Sequence, residues 1–490
     1  MQSAKFAALF ALPALLAGCG GSSSDGGGNS TPPPPAKYTI NFLKLANVNV
    51  GQEGSCDIYG QDSDTTPTKY TLAYSASGQN MSVYIHAEDG SYIESFDSAD
   101  WSNSGQFSFN QSQVPSDGYI SVVFKSNAGS SEDYDVVSLQ KELIPTQINI
   151  NAKGETVDPN TERCISSQAP QRAVNYTGII NDGGIGAGQF AFSSSIDFEV
   201  SSSAASIPFS SIPSQHVLAT RYTYSSSPTG FEPLIAYALT TANQTTLNTP
   251  LSLKSVDESN LNWNIPLSSV TALSKSALTT YQSGAGALHW QELPSSTSGH
   301  YSYAAELKDT YRLNLNGSHN SWNMSYTSKL PTMENGIDEV TKIDNMAIPA
   351  PNTSNQLSGL YIESYLQPMP SELNYQRTLI AANEGIYSVH QTIYGNAKQY
   401  QPLLMFSNSL DNIWGTSLTK FEVSILSSGN SNQVTEAFIS NYFDAYKVTS
   451  TGAASASFTD SLAVLKSINS RNEQQSSLKY LENIELSYKN

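Results

Sequence analysis

Hydrophobic residues make up 39% of this 490-residue chain and charged ones only 13%, so it can form packed cores beneath a surface that is polar but carries roughly half the usual charge. The formal charge of −18 excludes nucleic acid as a natural partner, because phosphate binding needs a basic footprint, and it sets the chain against an anionic membrane surface. Length alone suggests about three domains, and the abundance of Ser, Thr, Asn and Tyr favours strands and turns.

Lys5 precedes the apolar run Phe6–Leu16, which has 11 residues and is interrupted by Pro13. It is too short and too broken to span a bilayer. Leu16-Ala17-Gly18-Cys19 closes the run, and small residues directly ahead of a cysteine resemble the lipobox of bacterial lipoprotein precursors. The alternative is an ordinary signal peptide that contains a cysteine. The resemblance implies that residues 1–18 are a signal peptide and that Cys19 is acylated and becomes the first residue of a bilayer-anchored protein. Members of that family with aspartate after the cysteine stay at the inner membrane; Gly20 stands there instead, which implies the outer membrane. Which way the body faces is left open. Several acyl chains, each buried methylene contributing about 0.8 kcal/mol, suffice for stable attachment. Loss of the leader removes Lys5 and no acid, leaving 23 basic against 42 acidic residues, net −19.

Residues 19–36 carry Cys19 and then a Gly/Ser-rich coil ending in Pro32–Pro35, a tether that is flexible first and stiff later. Residues 37–150 read as a small β-sandwich. Its strands are expected at Tyr38–Val50, Lys69–Ser75, Met81–Ala87, Gln106–Asn110, Gly118–Lys125, Tyr134–Leu139 and Thr146–Ile150. Asp89-Gly90, Asn103-Ser104-Gly105 and Pro115-Ser116-Asp117-Gly118 supply turns. The run from Ser104 through Phe109, then Val114 through Val122, is similar to the last strands of bacterial immunoglobulin-like and prealbumin-like modules. With 14 acids against 5 lysines, this segment offers Asp62 with Asp64, Asp97 with Asp100, and Glu132-Asp133-Tyr134-Asp135 as oxygen ligands for calcium. A merely solvated acidic rim is the preferred reading, since none completes a calcium loop.

Two cysteines remain after Cys19. Cys56 and Cys164 are expected to form a disulfide, the alternative being two separate buried thiols. The bridge would close a loop of roughly 110 residues, for which the chain-entropy model gives at most about 4.7 kcal/mol, and it would staple the connector 151–172 to the first domain. Neither cysteine has a His or second Cys at metal-ligand spacing.

A larger antiparallel β domain is expected at 173–345. Phe190, Phe192, Ile196, Phe198 and Val200 share one parity, which predicts a single half-buried strand. Tyr301, Tyr303, Ala305, Leu307, Tyr311, Leu313 and Leu315 alternate up to Asn316-Gly317, the strongest hairpin-turn dipeptide, and Trp322, Met324 and Tyr326 follow on the return. A transmembrane barrel would alternate in the same way; an antiparallel sheet with one wet face is preferred. The glycines of Asp182–Gly188 are followed by a strand, so they read as a turn and not as a nucleotide loop. Residues 346–490 read as a C-terminal β-rich domain. Strands are expected at Tyr387–Tyr394 and Leu418–Leu426, a helix through Val434, Phe438, Ile439, Tyr442, Phe443 and Tyr446, and a last strand through Leu478, Tyr480, Ile484, Leu486 and Tyr488.

No chemistry is assigned: there are no catalytic, cofactor-binding or metal residues and no cofactor. His86, His216, His289, His300, His319 and His390 form no zinc motif, and no Gly-x-Ser-x-Gly elbow is present. Glu292 beside His289-Trp290 is the least ordinary group, a carboxylate next to a tryptophan as in sugar sites, although strand alternation accounts for it better. Trp101, Trp263, Trp290, Trp322 and Trp414 could stack on glycans or fill cores. The expected whole is mainly β, several antiparallel β-sandwich-like domains on a flexible N-terminal tether. Its low-charge, Tyr/Ser/Asn-rich body on a stalk resembles flagellar-sheath and biofilm-type surface lipoproteins. That resemblance implies a non-enzymatic structural, adhesive or surface role, with protein or glycan partners at the cell surface. The alternative is a glycan-binding or glycan-hydrolysing lipoprotein.

Overall fold

A computed structural model describes residues 36–490 except 63–68, 102–103, 129–130, 159–160, 168–172, 182–187, 224–232, 244–246, 265–270, 283–285, 294–297, 331–345, 355, 408, 416–417, 428–431, 441–461, 463 and 471–482. The signal peptide, Cys19, the tether, the Asp182–Gly188 turn up to residue 187, Asp64, and the Tyr442–Tyr446 and Leu478–Tyr480 parts of the expected C-terminal elements lie outside the described residues.

The chain is mainly β. Its backbone is a twelve-stranded sheet running from Gly286–Leu293 at one edge through Thr271–Gln282, Tyr311–His319, Trp322–Lys329, Asn483–Lys489, Lys420–Ser427, Tyr375–Glu384, Tyr387–Asn396, Ser131–Gln140, Tyr119–Ala128 and Met81–His86 to Tyr92–Phe96. Every neighbouring pair is antiparallel except Ser131–Gln140 with Tyr387–Asn396, which run parallel over eight paired positions. All three segments expected from the sequence therefore contribute strands to one sheet, and Lys37–Asn490 forms one compact unit.

Side-chain parity explains how the sheet serves two cores. Val83, Val122 and Val137 are cross-strand neighbours on one face. They pack against Ile40, Phe42, Phe107, Phe109, Ile148 and Ile150 of a five-stranded sheet built on Lys37–Asn49, closed by Phe438, Ile439 and Val464. This is the N-terminal sandwich. The opposite face carries Trp290, Trp322, Tyr311, Tyr326, Ile393 and Phe421 into a second core. That core is shared with Leu218 and Tyr237 of another five-stranded sheet and with Trp263 and Tyr301 of a strand pair. Burial of these large aromatic rings is the main source of stabilisation here.

Over the Thr271–Lys329 and Lys420–Lys489 strands, the face turned away from the second core is polar. Asn316 and Asn323 are exposed there, and Asn314, Ser325, Thr327, Glu485 and Ser487 are half-buried. Thr327 donates to Asn314 Oδ1 (3.2 Å), and Asn314 Nδ2 donates to Thr279 (3.0 Å). Glu422 gathers Lys489 at 3.1 Å, Lys420 at 3.2 Å and the buried Arg377 at 3.7 Å. One wet face and one dry face produce the alternation read in the sequence.

Five of the seven strands expected in 37–150 coincide with observed strands to within two residues at each end. Tyr119–Ala128 and Ser131–Gln140 each extend three residues beyond expectation at one end, and Ile58–Asp62 and Tyr92–Phe96 are additional. Two expectations are corrected. Phe190–Val200 is a hairpin, Gln189–Ser193 pairing antiparallel with Phe198–Ser201. The chain turns at Ser194, whose hydroxyl accepts the N–H groups of Ile196 (3.2 Å) and Asp197 (3.0 Å), a local bond that competes with strand continuation. Ile196, Phe198 and Val200 are consequently exposed.

The second correction concerns the long alternating stretch. Ser298–Tyr303 pairs with Glu258–Asn264, and a short 3-10 turn, Ala305–Leu307, separates it from Tyr311–His319. The Tyr311–His319/Trp322–Lys329 hairpin turns at Asn320-Ser321, with φ of 45° and 72°, the left-handed pair that suits a two-residue hairpin loop. Asn316-Gly317 lies inside the strand. Gly317 is needed for close approach: a Cβ there would stand 2.1 Å from the Ala272 carbonyl oxygen. Gly317→Ala is therefore expected to lower the urea unfolding midpoint, while Ser321→Gly, which removes a left-handed strain of about 1 kcal/mol, is expected to raise it. The opposite ordering would place the turn at Gly317.

The helix Asn432–Ser440 buries Phe438 and Ile439 as expected, and Asn483–Lys489 buries Ile484 and Leu486. That last strand sits between two others, inside the sheet.

Candidate functional site

At its Lys37–Asn41 end the N-terminal five-stranded sheet has one apolar and one polar face, because the first strand alternates Tyr38, Ile40, Phe42 with Thr39, Asn41. Farther along, Leu43 and Leu45 of the second face are buried with Tyr59, Ala73 and Leu465. Register places Asn41 opposite Gln106 on one side and Asn149 on the other. Gln106 Nε2 donates to Asn41 Oδ1 (3.1 Å), and Asn41 Nδ2 donates to Asn149 Oδ1 (2.8 Å). A second polar row begins beside it, with Thr39 and Ser108 sharing a 3.0 Å hydrogen bond.

The amide row leads into a cleft of about 630 Å³, lined also by Asp57, Tyr59, Ser75, Ser167, Lys466 and Ser467. One wall is built by the connector. Cys56 and Cys164 form the expected disulfide, with Cα atoms 5.6 Å apart, and the residues flanking them lock together. Asp57 N–H donates to the Ile165 carbonyl (2.9 Å). The buried Asp57 carboxylate accepts Ser167 N–H (3.1 Å) and Oγ–H (2.6 Å). Ser166 Oγ–H donates to the Ser55 carbonyl (2.6 Å), and Lys44 pairs with Glu162 at 2.7 Å. Burial, and secondarily the Asp57 charge, push the Tyr59 phenol above its ordinary value, so it stays protonated. The other wall is the 464–470 segment, where Lys466 pairs with Glu436 at 2.9 Å. Amides and hydroxyls both donate and accept, so this cleft suits binding of polar, uncharged groups.

The groups singled out in the sequence lie elsewhere. All five tryptophans are buried, Trp101 at 8% exposure being the most accessible. Trp290 Nε1–H donates to the Ser302 carbonyl (2.8 Å), and its ring meets Tyr237 and Tyr311 edge-on; it is core and not a sugar platform. Glu292 pairs with Lys275 (3.5 Å). Asp97 and Asp100 close a turn through backbone N–H groups. Glu132 binds Lys125 and Tyr134, Asp133 accepts from Ser388, and Asp135 holds Lys153. Among the described residues, no three His, Cys, Asp or Glu side chains group as a metal site.

A serine hydroxyl meets a histidine ring at His86. His86 Nε2 meets Ser121 Oγ at 2.8 Å, Ser121 meets Ser138 at 2.8 Å, and Gln391 Nε2 donates to Ser138 (3.2 Å). His86 and both serines have no exposure, so no substrate reaches them, and the chain works as a cross-strand polar clamp. Burial pushes the His86 ring down to about 3, and burial with Lys275 nearby pushes His289 down to about 4. Both rings stay neutral in the fold and protonate on unfolding. The unfolded state thus binds more protons between these values and about pH 6.5, and stability falls as pH drops through that window. His86→Gln is expected to flatten the fall of the urea midpoint between pH 6.5 and 4; an unchanged slope would show that His86 does not carry it.

The polar cleft was not singled out in the sequence. The available signal was the pairing of Thr39 and Asn41 against Ile40 and Phe42, repeated by Gln147 and Asn149 against Ile148 and Ile150. No family model matches the chain, and no curated protein or solved structure matches it either.

Proposed function

We propose that this chain is an exported lipoprotein, held on the outer membrane by acylated Cys19, with a non-enzymatic structural or adhesive role at the cell envelope or surface, of which a flagellar sheath and a biofilm matrix are two settings. The observation that carries the reading is the Cys56–Cys164 disulfide, which suits an oxidising compartment outside the cytoplasm and agrees with the Leu16-Ala17-Gly18-Cys19 motif. Among the described residues no helix is long and apolar enough to cross a membrane. The closed His86 clamp and the buried tryptophans favour a binding or structural role over glycan hydrolysis, which needs two accessible acids beside the sugar.

Cell fractionation with Cys19→Ser tests the anchor. The wild-type chain is expected with the membranes and the variant in the soluble or uncleaved precursor fraction. Protease shaving of intact cells separates the settings: loss of the protein supports a surface role, and protection until the outer membrane is breached removes the adhesive and matrix versions.

A further inference from the structure

We infer that the cleft beside the Gln106–Asn41–Asn149 amide row is a binding site for a short neutral oligosaccharide. The inference rests on the cleft alone and is independent of how the chain is anchored. Its volume of about 630 Å³ lies in the range of small-molecule sites.

The lining decides the class of ligand. Of its two charged groups, Lys466 is paired with Glu436, and Asp57 is a buried carboxylate whose oxygens are held by the Ser167 N–H and hydroxyl. An anionic ligand would find the cleft's one lysine already paired, and a cationic one would meet in Asp57 a carboxylate already buried and hydrogen-bonded. The surrounding segment 37–150, with 14 acids against 5 lysines, repels anions at longer range. A peptide adding itself as a strand is also excluded from the cleft floor. Over Thr39–Leu43 the first strand is paired on both sides, with Gln106–Asn110 and then Lys69–Ser75 in antiparallel on one and with Gln147–Asn151 in parallel on the other, so its backbone groups there belong to neighbours.

What remains is side-chain recognition by amides and hydroxyls. A primary amide has two N–H groups and two lone pairs. The row uses one N–H of Gln106 and one of Asn41, which fixes the orientation of both amides. Asn149 enters the row through its Oδ1 alone, and its Nδ2 group stands at the end of the row, half-buried, with Ser75, Ser104 and Ser467 on the same lining. Sugar hydroxyls, each a donor and an acceptor, match such groups without needing a charge. Amides on adjacent strands stand about 4.8 Å apart, comparable with one sugar ring. The row is pre-organised by its own hydrogen bonds and by the disulfide-locked wall, so little side-chain freedom is lost on binding.

The test uses the full chain, purified in detergent, in titration calorimetry and saturation-transfer NMR with cellohexaose, maltohexaose, chitohexaose and a sulfated heparin hexasaccharide. At least one neutral probe is expected to bind, the heparin probe is not, and Asn41→Ala/Asn149→Ala is expected to weaken that binding at least tenfold. Asn314→Ala, which breaks the Thr327–Asn314–Thr279 row on the flat polar face, is expected to leave it unchanged. Should the double variant fail to fold by circular dichroism, the exposed Gln106→Ala is read instead, with a loss of at least threefold expected. No binding of any neutral probe, preference for the heparin probe, or binding that survives these variants would overturn the inference.

Discussion

Replacing Trp290 with alanine is expected to lower the unfolding free energy by about 3–5 kcal/mol, the usual cost of removing a large buried aromatic. The ring has no exposure, and it packs at 5.2 Å from Tyr237 and 5.3 Å from Tyr311 between centroids. Its N–H holds the Ser302 carbonyl at 2.8 Å, while its own carbonyl accepts the Tyr222 hydroxyl at 2.8 Å. Truncation leaves both a cavity and an unsatisfied carbonyl at Ser302. Urea unfolding followed by fluorescence measures the loss. A change under about 1 kcal/mol would mean that the ring stands at a surface, as a sugar platform would, and that the second core is wrongly assigned.

Cleaving the Cys56–Cys164 bridge, by reduction or by Cys56→Ala/Cys164→Ala, is expected to cost about 2–4 kcal/mol. The bridge spans 108 positions of chain, so its loss releases a long loop in the unfolded state. The folded state loses a wall as well. Cys164 pairs with Tyr74 as an isolated bridge, and Asp57, Ile165 and Ser167 bond to each other immediately beside the two cysteines. Amide exchange is therefore expected to rise first at Asp57–Tyr59 and Ile165–Ser167, ahead of Ile120 or Val137 in the large sheet. Uniform exchange throughout, or no loss of stability, would contradict the stapled wall.

The contrast between these two sites shows what a single sequence discloses. Parity was legible: Leu313, Leu315, Trp322, Met324 and Tyr326 are all buried, because a strand with one wet face records its burial in every second residue. The Cys56–Cys164 pair was legible by elimination, two thiols being left after Cys19. Turns were less so. Asn316-Gly317 carries the stronger turn signal, yet the loop forms at Asn320-Ser321 because pairing with Thr271–Gln282 draws the strand onward to His319. The Ser194 turn was marked only by one serine on the apolar parity between Phe192 and Ile196, a single polar gap that a half-buried strand also tolerates although serine favours turns.

Partnership between strands was not legible. The parallel joint of Ser131–Gln140 with Tyr387–Asn396 links residues about 255 positions apart, and nothing in either segment marks the other as its neighbour. For the same reason the segment boundaries near 150 and 345 do not interrupt the large sheet. The cleft was hidden likewise: its amides come from three strands, its walls from 57, 165–167 and 466–470, and none of these lies in a motif. Local chemistry can be read in order along the chain, whereas a site assembled by register needs the fold.

The anchor is the claim on which the functional reading turns. Mass spectrometry of the protein isolated from its native membranes tests it most directly. A mature amino terminus at Cys19 carrying acyl groups is the expected result. An amino-terminal peptide that retains residues 1–18, or a Cys19 without lipid, would contradict it.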